Sequence, residues 1–232
     1  MDFLADVWQW FADGEHWRGR GGVPNRLTEH LRMSGVSLAA AAAVALPAGT
    51  VLGHLRRGGA LAINVSNVGR AIPSFALLVL ALQVFGIGDR PAIIALTALA
   101  IPPMLTNSYV GLSQVPDDVR EAARGMGMTG WEALIRVELP MGLPLVMAGI
   151  RTATVQVIAT ATLAAITAGG GLGRYIIDGL AKQNQVELFA GALLVAVLAI
   201  ATELMFGVAE RVVLPRGLRA EVSHRPRERT NP

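Results

Sequence analysis

Five long apolar runs divide this chain, and they constrain its fold more than any other feature. They cover about residues 33–53, 71–88, 91–112, 145–168 and 188–209. A helix needs about 20 predominantly apolar residues to cross a bilayer, and only 16% of this chain is charged. Because lipid cannot satisfy exposed backbone groups, the runs predict an all-α polytopic membrane protein with about five transmembrane helices.

Two segments outside the runs differ in composition. Residues 1–32 include an aromatic stretch around Trp8 and Trp10, which is typical of a segment that lies in the membrane interface. This stretch carries acidic residues and no basic start, so it is not a signal peptide. Residues 211–232 are rich in arginine and too polar to fold alone. We therefore expect an interfacial segment, a transmembrane domain over residues 33–210, and a basic tail.

Polar residues inside the apolar runs are the candidates for a translocation path. Pro102 and Pro103 are expected to break the helix of the third run and to expose backbone groups there. A polar group that faces lipid is costly, so such side chains should face the protein interior or water. The candidates are Asn107, Tyr109, Thr154 and Thr160. The alternative for each threonine is a hydrogen bond from its hydroxyl to its own helix backbone.

Glu203 is the one carboxylate inside an apolar run. It either pairs with a cation on a partner subunit or reaches the inner interface, and the second alternative is favoured. An ion-coupled secondary transporter would need a carboxylate deep in the membrane, whereas Glu203 lies close to one end of its run. Arg151, near the start of the fourth run, is expected to extend its side chain to the interface.

A charged island over residues 117–140 separates the third and fourth runs. Asp117 and Asp118 place negative charge where a helix begins. Gly127 suits the left-handed position that ends a helix. Four residues between them have helical spacing and predict one apolar face: Val119, Ala122, Ala123 and Met126.

A second helix is predicted after Gly127. Thr129 and Glu132 have the spacing of a capping box, and Pro140 and Pro144 are expected to limit the helix. A helix, a glycine elbow and a second helix between membrane spans indicate a surface that docks a partner in water. The alternative is an ordinary cytoplasmic loop.

Chemistry carried by the chain itself is excluded by what the sequence lacks. There is no cysteine, and the four histidines are scattered without a second metal ligand at a suitable spacing. Gly169–Gly173 is rich in glycine but lacks the lysine of a phosphate-binding loop. We expect no catalytic residue, metal site or cofactor, so any energy for the function of the chain must come from a partner. The alternatives are a transporter or channel without an ATPase, and a membrane scaffold.

The distribution of basic residues orients the chain. Five spans place the termini on opposite sides, and cytoplasmic loops carry the excess of arginine and lysine. With the basic tail inside, thirteen of the 20 basic residues lie on the inner side and seven on the outer side. We therefore expect the N-terminus outside, with the charged island and the C-terminus in the cytoplasm.

A pattern in the charged island resembles the EAA loop of binding-protein-dependent ABC transporter permeases. It consists of Glu121-Ala122-Ala123, then Gly127, then Val137-x-Leu139-Pro140. The family pattern has isoleucine where this chain has valine, which is a minor departure. The resemblance implies a type I importer fold in which this loop forms a coupling helix that fits a groove on a cytoplasmic ATPase. It implies a coupling role for Glu121, Ala122, Ala123, Gly127, Leu139 and Pro140.

Weaker patterns resemble permeases that import glycine betaine, carnitine or choline. They are Gly53-His54, Ile72-Pro73-Ser74 and Gly169–Gly173, and the similarity covers most of residues 27–210. The resemblance implies import of an osmoprotectant, a quaternary or proline-type amine, with an amino acid or another small solute as the alternative. It also implies a cytoplasmic ABC ATPase dimer, a second permease subunit, identical or homologous, and an extracytoplasmic substrate-binding protein. The expected location is the inner (plasma) membrane, among its lipids, with no nucleic-acid partner.

Overall fold

The computed structural model describes residues 3–167 and 169–213, and every regular element in this part is helical. The helices are α1 (Phe3–Ala12), α2 (Val23–His54), α3 (Gly59–Ala71), α4 (Ser74–Phe85), α5 (Asp89–Ser113), α6 (Asp117–Gly125), α7 (Gly130–Ala133), α8 (Leu139–Thr160), α9 (Gly173–Ala181) and α10 (Gln185–Val213). Two 3-10 segments, Gly14–Trp17 and Ala161–Thr167, and a π-helical segment, Leu134–Glu138, connect them. The predicted all-α class is confirmed.

Four continuous helices are long and apolar enough to cross a membrane: Val23–His54, Asp89–Ser113, Gly130–Thr167 and Gln185–Glu210. The third combines α7, the π segment, α8 and the 3-10 turn after it. The α3–α4 pair, bent by 88°, makes a fifth when it is taken as one broken span. The prediction of about five membrane helices is confirmed in this form.

The bent pair follows α5 along its length. At its start Gly59 lies against the ring of Tyr109, which is near the end of α5. Beyond the bend, Leu78 belongs to the same buried cluster as Ala92, which is near the beginning of α5. The pair therefore advances antiparallel to α5, from one end of the bundle to the other.

The sequence predicts one uninterrupted span over residues 71–88, and the structure instead divides this region. Pro73 has no amide hydrogen to donate to a preceding turn, and Ile72 before it is extended, so α3 ends there and α4 starts in a new direction. α4 has only 12 residues, too few to cross the hydrocarbon alone. α3 was missed because its residues do not form a long apolar run.

Small residues let α2, α5 and α8 pack closely. A Cβ atom added to Gly49 of α2 would lie 2.6 Å from the carbonyl oxygen of Leu105, and one at Gly149 of α8 would lie 2.9 Å from that of Pro103. The helix backbones therefore touch α5 from both sides. Within lipid the hydrophobic effect does not drive helices together, so close van der Waals packing of this kind stabilises their association. Alanine predominates in the core between them, which consists of Ala41, Ala45, Leu96, Ala100, Met104, Leu105, Ala153, Val157 and Ala161.

The prolines do not stop their helices, so two expectations are wrong. α5 is continuous through Pro102 and Pro103, because both rings are buried and packing offsets the hydrogen bonds that proline removes. Helix also continues through Pro140 and Pro144, from Gly130 to Thr167. The π-helical segment ends one residue before Leu139-Pro140, and a longer-range hydrogen bond from the amide of Leu139 to the carbonyl of Leu134 accommodates the altered bonding.

The connections between helices collect at two ends of the bundle. At one, the glycine end, the amide of Gly171 donates to the Glu29 carboxylate at 2.8 Å, and the amide of Gly88 donates to the carbonyl of Thr167 at 2.9 Å. The other, the charged end, contains the end of α2 and all of α6 and α7. α10 runs from the glycine end towards the charged end, so the first and last described residues lie at opposite ends.

Helix α1 lies on α10 at the glycine end. Phe3 packs edge-on against Phe189 with 5.2 Å between ring centroids, and Trp10 is buried beside Tyr175. Burial raises the pKa of the Tyr175 hydroxyl to about 12, and this hydroxyl donates to the carbonyl of Gly21. The opposite face of α1 exposes Trp8, as a helix in a membrane interface would, and that placement stays a prediction. Most of the predicted basic tail, from residue 214 onward, lies outside the described residues.

Candidate functional site

The first helix of the charged island ends in a glycine elbow, as its sequence predicts. Asp117 and Asp118 occupy the first turn of α6. At the other end Gly127 has a left-handed φ of 81°, and its amide donates to the carbonyl of Arg124 at 2.9 Å. The amide of Met128 reaches back to the carbonyl of Ala123 at 3.1 Å. These two bonds form a Schellman motif, which reverses the chain within one turn.

The second helix of the island begins with the predicted capping box. The hydroxyl of Thr129 accepts from the amide of Glu132 at 3.3 Å, and the Glu132 carboxylate accepts from the amide of Thr129 at 2.9 Å. The elbow between Gly127 and Thr129 is therefore fixed on both sides.

Glu138 ends the π-helical segment and is almost completely buried. Its Oε2 atom lies 2.8 Å from Nδ1 of His54 and 3.2 Å from a terminal nitrogen of Arg120. Arg120 is buried too, although it belongs to the charged helix α6. The sequence did not predict this cluster, because a charged residue in a polar loop is normally exposed. The only available signal was that Arg120 and Ala123 share one face of α6.

The guanidinium of Arg120 also binds two helix ends. One terminal nitrogen donates to the carbonyl of His54 at 2.9 Å, and the other donates to the carbonyl of Leu112 at 2.6 Å. These carbonyls belong to the last turns of α2 and α5. Burial lowers the pKa of Arg120, and the neighbouring Glu138 carboxylate acts in the opposite direction.

The outer face of the island is exposed and partly apolar. Met126 is 69% exposed and Trp131 is 68% exposed, and Ile135 is exposed too. The predicted apolar face of α6 is therefore wrong in part, because Ala123 is buried whereas Ala122 and Met126 are not. Among the predicted coupling residues, the exposed ones are Glu121, Ala122, Gly127 and Pro140; Leu139 is half-buried and Ala123 is buried.

Residues 43–215 match the family described as binding-protein-dependent transport system inner membrane components. The chain belongs to this family. It is therefore a permease, the membrane-embedded component of an ABC transporter.

Curated relatives support the same assignment. The glycine betaine/carnitine/choline transport system permease protein OpuCB of Bacillus subtilis is 40% identical over 190 residues, covering 82% of this permease and 88% of the relative. The choline transport system permease protein OpuBB of the same organism is 38% identical with the same coverages. The carnitine transport permease protein OpuCB of Listeria monocytogenes is 37% identical over 191 residues, covering 82% and 88%.

Solved structures share the fold of this permease. A chain of the inward-facing methionine ABC transporter MetNI superimposes with a TM-score of 0.70 at 25% sequence identity, covering 81% of this permease and 94% of that chain. An amino acid ABC transporter solved with histidines has a TM-score of 0.66 at 16% identity, covering 91% and 98%, and shows the fold alone. The predicted type I importer fold is confirmed.

The four path candidates of the permease lie in separate surroundings. The side-chain amide of Asn107 donates to the backbone carbonyl of Pro103 at 2.8 Å. The hydroxyl of Thr154 donates to the backbone carbonyl of Ile150 at 2.8 Å. Both side chains therefore bond to their own helices, which is the alternative that the sequence left open for Thr154. Tyr109 is half-buried against α3, and Thr160 lines a small cavity between α4 and α5. A shared path through these four residues stays a prediction.

Glu203 has its cation within the permease itself. The Arg151 side chain binds Glu203 through two nitrogens and also donates to Glu210 at 2.9 Å. Arg151 belongs to α8 and both carboxylates belong to α10, so one guanidinium joins two membrane helices. Glu203 is therefore paired within the chain rather than with a partner subunit, and the placement of Arg151 and Glu203 at the membrane interface stays a prediction.

Proposed function

We propose that this permease is the membrane subunit of an ATP-driven importer of osmoprotectants, namely glycine betaine, carnitine, choline or a related quaternary or proline-type amine. The observation that carries the proposal is the 40% identity to a permease named for glycine betaine, carnitine and choline transport. The chain spans 88% of that relative, so the likeness covers the membrane domain as a whole.

The partners follow from the same proposal. A cytoplasmic ABC ATPase dimer supplies the energy, an extracytoplasmic binding protein delivers the substrate, and a second permease subunit completes the path. Few aromatic side chains are available to surround a quaternary ammonium group, since only 5% of the residues are aromatic. We therefore place substrate selection chiefly in the binding protein.

The exposed face of α6 and α7 is the proposed ATPase-docking surface. Glu121 and Ala122 face solvent on α6, while the Schellman motif and the capping box hold both helices in a fixed relative position. The exposed side chains of Trp131 and Met126 add apolar surface beside the charged residues of the two helices. A rigid helix that presents a small residue between charged ones suits insertion into a groove.

The charged end of the bundle then faces the cytoplasm. Two observations support this orientation. The segments at the charged end hold the excess of basic residues, and the proposed docking surface lies at the same end. The N-terminal helix α1 and the glycine end face outward in this proposal. Asn107, Tyr109, Thr154 and Thr160 remain the proposed path residues.

Uptake by cells tests the substrate assignment. Cells that contain the complete transporter are compared with cells lacking only this chain, at raised osmolarity, using radiolabelled glycine betaine, choline, carnitine and methionine. We expect uptake of one or more of the three amines to require the chain, while methionine uptake does not. Dependence of methionine uptake alone would instead support an amino-acid importer, which the structural match to the methionine transporter favours as the second candidate.

Co-purification tests the docking surface. Glu121→Arg reverses an exposed charge on α6 without touching the buried Arg120 cluster. We expect this variant to reach the membrane in normal amounts and to lose an ABC ATPase subunit that accompanies the unaltered permease. Retention of the ATPase with normal uptake would contradict the proposed surface.

A further inference from the structure

One side chain connects the docking helix to three membrane helices. Arg120 lies on α6, donates to carbonyls in the last turns of α2 and α5, and pairs with Glu138, which directly precedes α8. The last carbonyls of a helix lack partners within the helix and carry partial negative charge, so a buried cation there is favourable. A single planar guanidinium therefore holds the charged ends of α2, α5 and α8 together.

We propose that Arg120 is the positioning residue that transmits movement of α6 to the membrane helices. The inference rests on the proposed docking of an ATPase on the outer face of α6. Since Arg120 points inward from the helix whose outward residues meet the ATPase, displacement of α6 moves the guanidinium. Through its two carbonyl hydrogen bonds and its ion pair, this movement displaces the ends of α2, α5 and α8 together.

Burial distinguishes Arg120 from the other polar link to α6. Arg56 pairs with Asp117, but the Asp117 side chain is 72% exposed, and such pairs contribute little because water competes with them. The Arg120 and Glu138 side chains are only 7% and 3% exposed. Breaking a buried pair is strongly unfavourable, so this link persists while α6 moves.

The π-helical segment supports the same role. It inserts a wider turn over Leu134–Glu138, one residue before Pro140, and ends on the buried carboxylate. π-helical turns are uncommon and often occur at functional positions. Glu138 in turn accepts from His54 at 2.8 Å, which adds a side-chain bond to the backbone bond already made at the end of α2.

Arg120→Lys is the main test. A lysine keeps the positive charge beside Glu138, but one ammonium group cannot reproduce the planar fork that reaches two carbonyls. In the complete transporter reconstituted in lipid, we expect normal ATPase association and about tenfold less substrate transported per ATP hydrolysed, a typical size for a lost coupling between sites. Arg57→Gln is the matched control, because Arg57 is exposed near the end of α2 and should retain normal coupling.

The double variant Arg120→Gln/Glu138→Gln separates transmission from charge balance. It removes both buried charges, so neither is left unpaired. We expect it to assemble and still to transport poorly per ATP hydrolysed. Normal coupling in either variant, or failure of both to assemble, would overturn the proposal, the second outcome because the cluster would then serve folding alone. A failure of the docking surface is recognised separately, since Glu121→Arg would then retain its ATPase.

A distance measurement gives a second readout. The chain has no cysteine, so spin labels can be placed at Ile87→Cys, an exposed position at the glycine end, and at the corresponding position of the second permease subunit. In the transporter with an unaltered Arg120, ATP should change the distance between the labels. In Arg120→Lys, we expect that change to be smaller although the ATPase remains bound; an undiminished change would contradict transmission through Arg120.

Discussion

At the scale of single residues, the backbone of Gly127 restricts which residues the elbow of the proposed docking surface can accept. A Cβ atom there would meet nothing within 4 Å, so the restriction comes from the backbone, whose φ is +81°. An L-residue in this left-handed region costs about 1–2 kcal/mol, and a β-branched side chain is the least suitable. The elbow therefore depends on the absence of a side chain for conformational rather than steric reasons.

Gly127→Val should weaken coupling without preventing membrane insertion. Valine strains the Schellman motif and shifts α6 relative to α7, so the two halves of the docking surface no longer match the ATPase. We expect reduced ATPase co-purification and uptake at an unchanged amount of permease in the membrane. Gly125→Ala is the matched control, because Gly125 is helical and a Cβ there also meets nothing within 4 Å. Normal uptake by the valine variant would contradict the coupling role of the elbow.

Local rules predicted this elbow from the sequence but could not predict the cluster beneath it. Gly127 and the Thr129–Glu132 box were found because their hydrogen bonds connect neighbours a few residues apart. Arg120 bonds to His54, 66 residues away, and no local pattern reports such a contact. The predicted apolar face of α6 failed for the same reason, since the face that packs inward is chosen by the membrane helices.

At the scale of helices, close backbone contact holds α2 against α5. A Cβ atom at Gly49 would lie 2.6 Å from the carbonyl oxygen of Leu105, which no side-chain rotation can relieve. Gly35, on the same helix, has nothing within 4 Å of the corresponding position. The two glycines therefore differ in tertiary contact while sharing helical backbone geometry.

Gly49→Ala and Gly35→Ala should have opposite effects on stability. The first forces α2 away from α5 and should cost about 1–3 kcal/mol, as overpacking does. The second removes a flexible residue from a helix and should stabilise by about 0.5–1 kcal/mol. Thermal unfolding of the purified permease in detergent measures both, and equal unfolding temperatures would contradict the contact between these helices.

A second pair of helices is joined by charge. Arg151 of α8 binds both Glu203 and Glu210 of α10, so Arg151→Gln leaves two carboxylates without their cation in a membrane segment. We expect a lower unfolding temperature and easier separation of α10 from the bundle. Glu203→Gln added to Arg151→Gln should recover part of the loss, because one unpaired charge is removed. No recovery would indicate that the aliphatic part of Arg151 matters more than its charge.

The all-α class and the approximate number of membrane spans were predictable because long apolar runs have few alternatives in a membrane. The form of individual helices was not. Pro73 ends α3 whereas Pro102 and Pro103 are accommodated within α5, although the same chemistry removes a hydrogen bond in each case. Packing against neighbours decides between the two outcomes, and a linear sequence does not show which prolines have neighbours.

At the scale of the whole molecule, the contacts of the α3–α4 pair determine how many times the chain crosses the membrane. The pair begins beside Tyr109 and ends near Ala92, so it passes from the charged end to the glycine end. Taken as one broken span, the pair gives the chain five crossings, and the exposed residues Arg57 and Met126 lie at one end of the bundle while Ile87 lies at the other. A re-entrant pair would leave Arg57 and Ile87 on the same side.

Labelling of single cysteines tests both the crossings and the orientation. The chain contains no cysteine, so Arg57→Cys, Ile87→Cys and Met126→Cys each provide one reactive site. In cells that lack the ATPase subunit, which would otherwise cover Met126, a membrane-impermeant maleimide applied to intact cells should label only Ile87→Cys. All three variants should react after permeabilisation. Labelling of both Arg57→Cys and Ile87→Cys in intact cells would show that α3 and α4 return to the side from which they start. Labelling of Arg57→Cys and Met126→Cys without Ile87→Cys would keep the five crossings and reverse the orientation, which would place the docking surface outside and exclude a cytoplasmic ATPase as its partner.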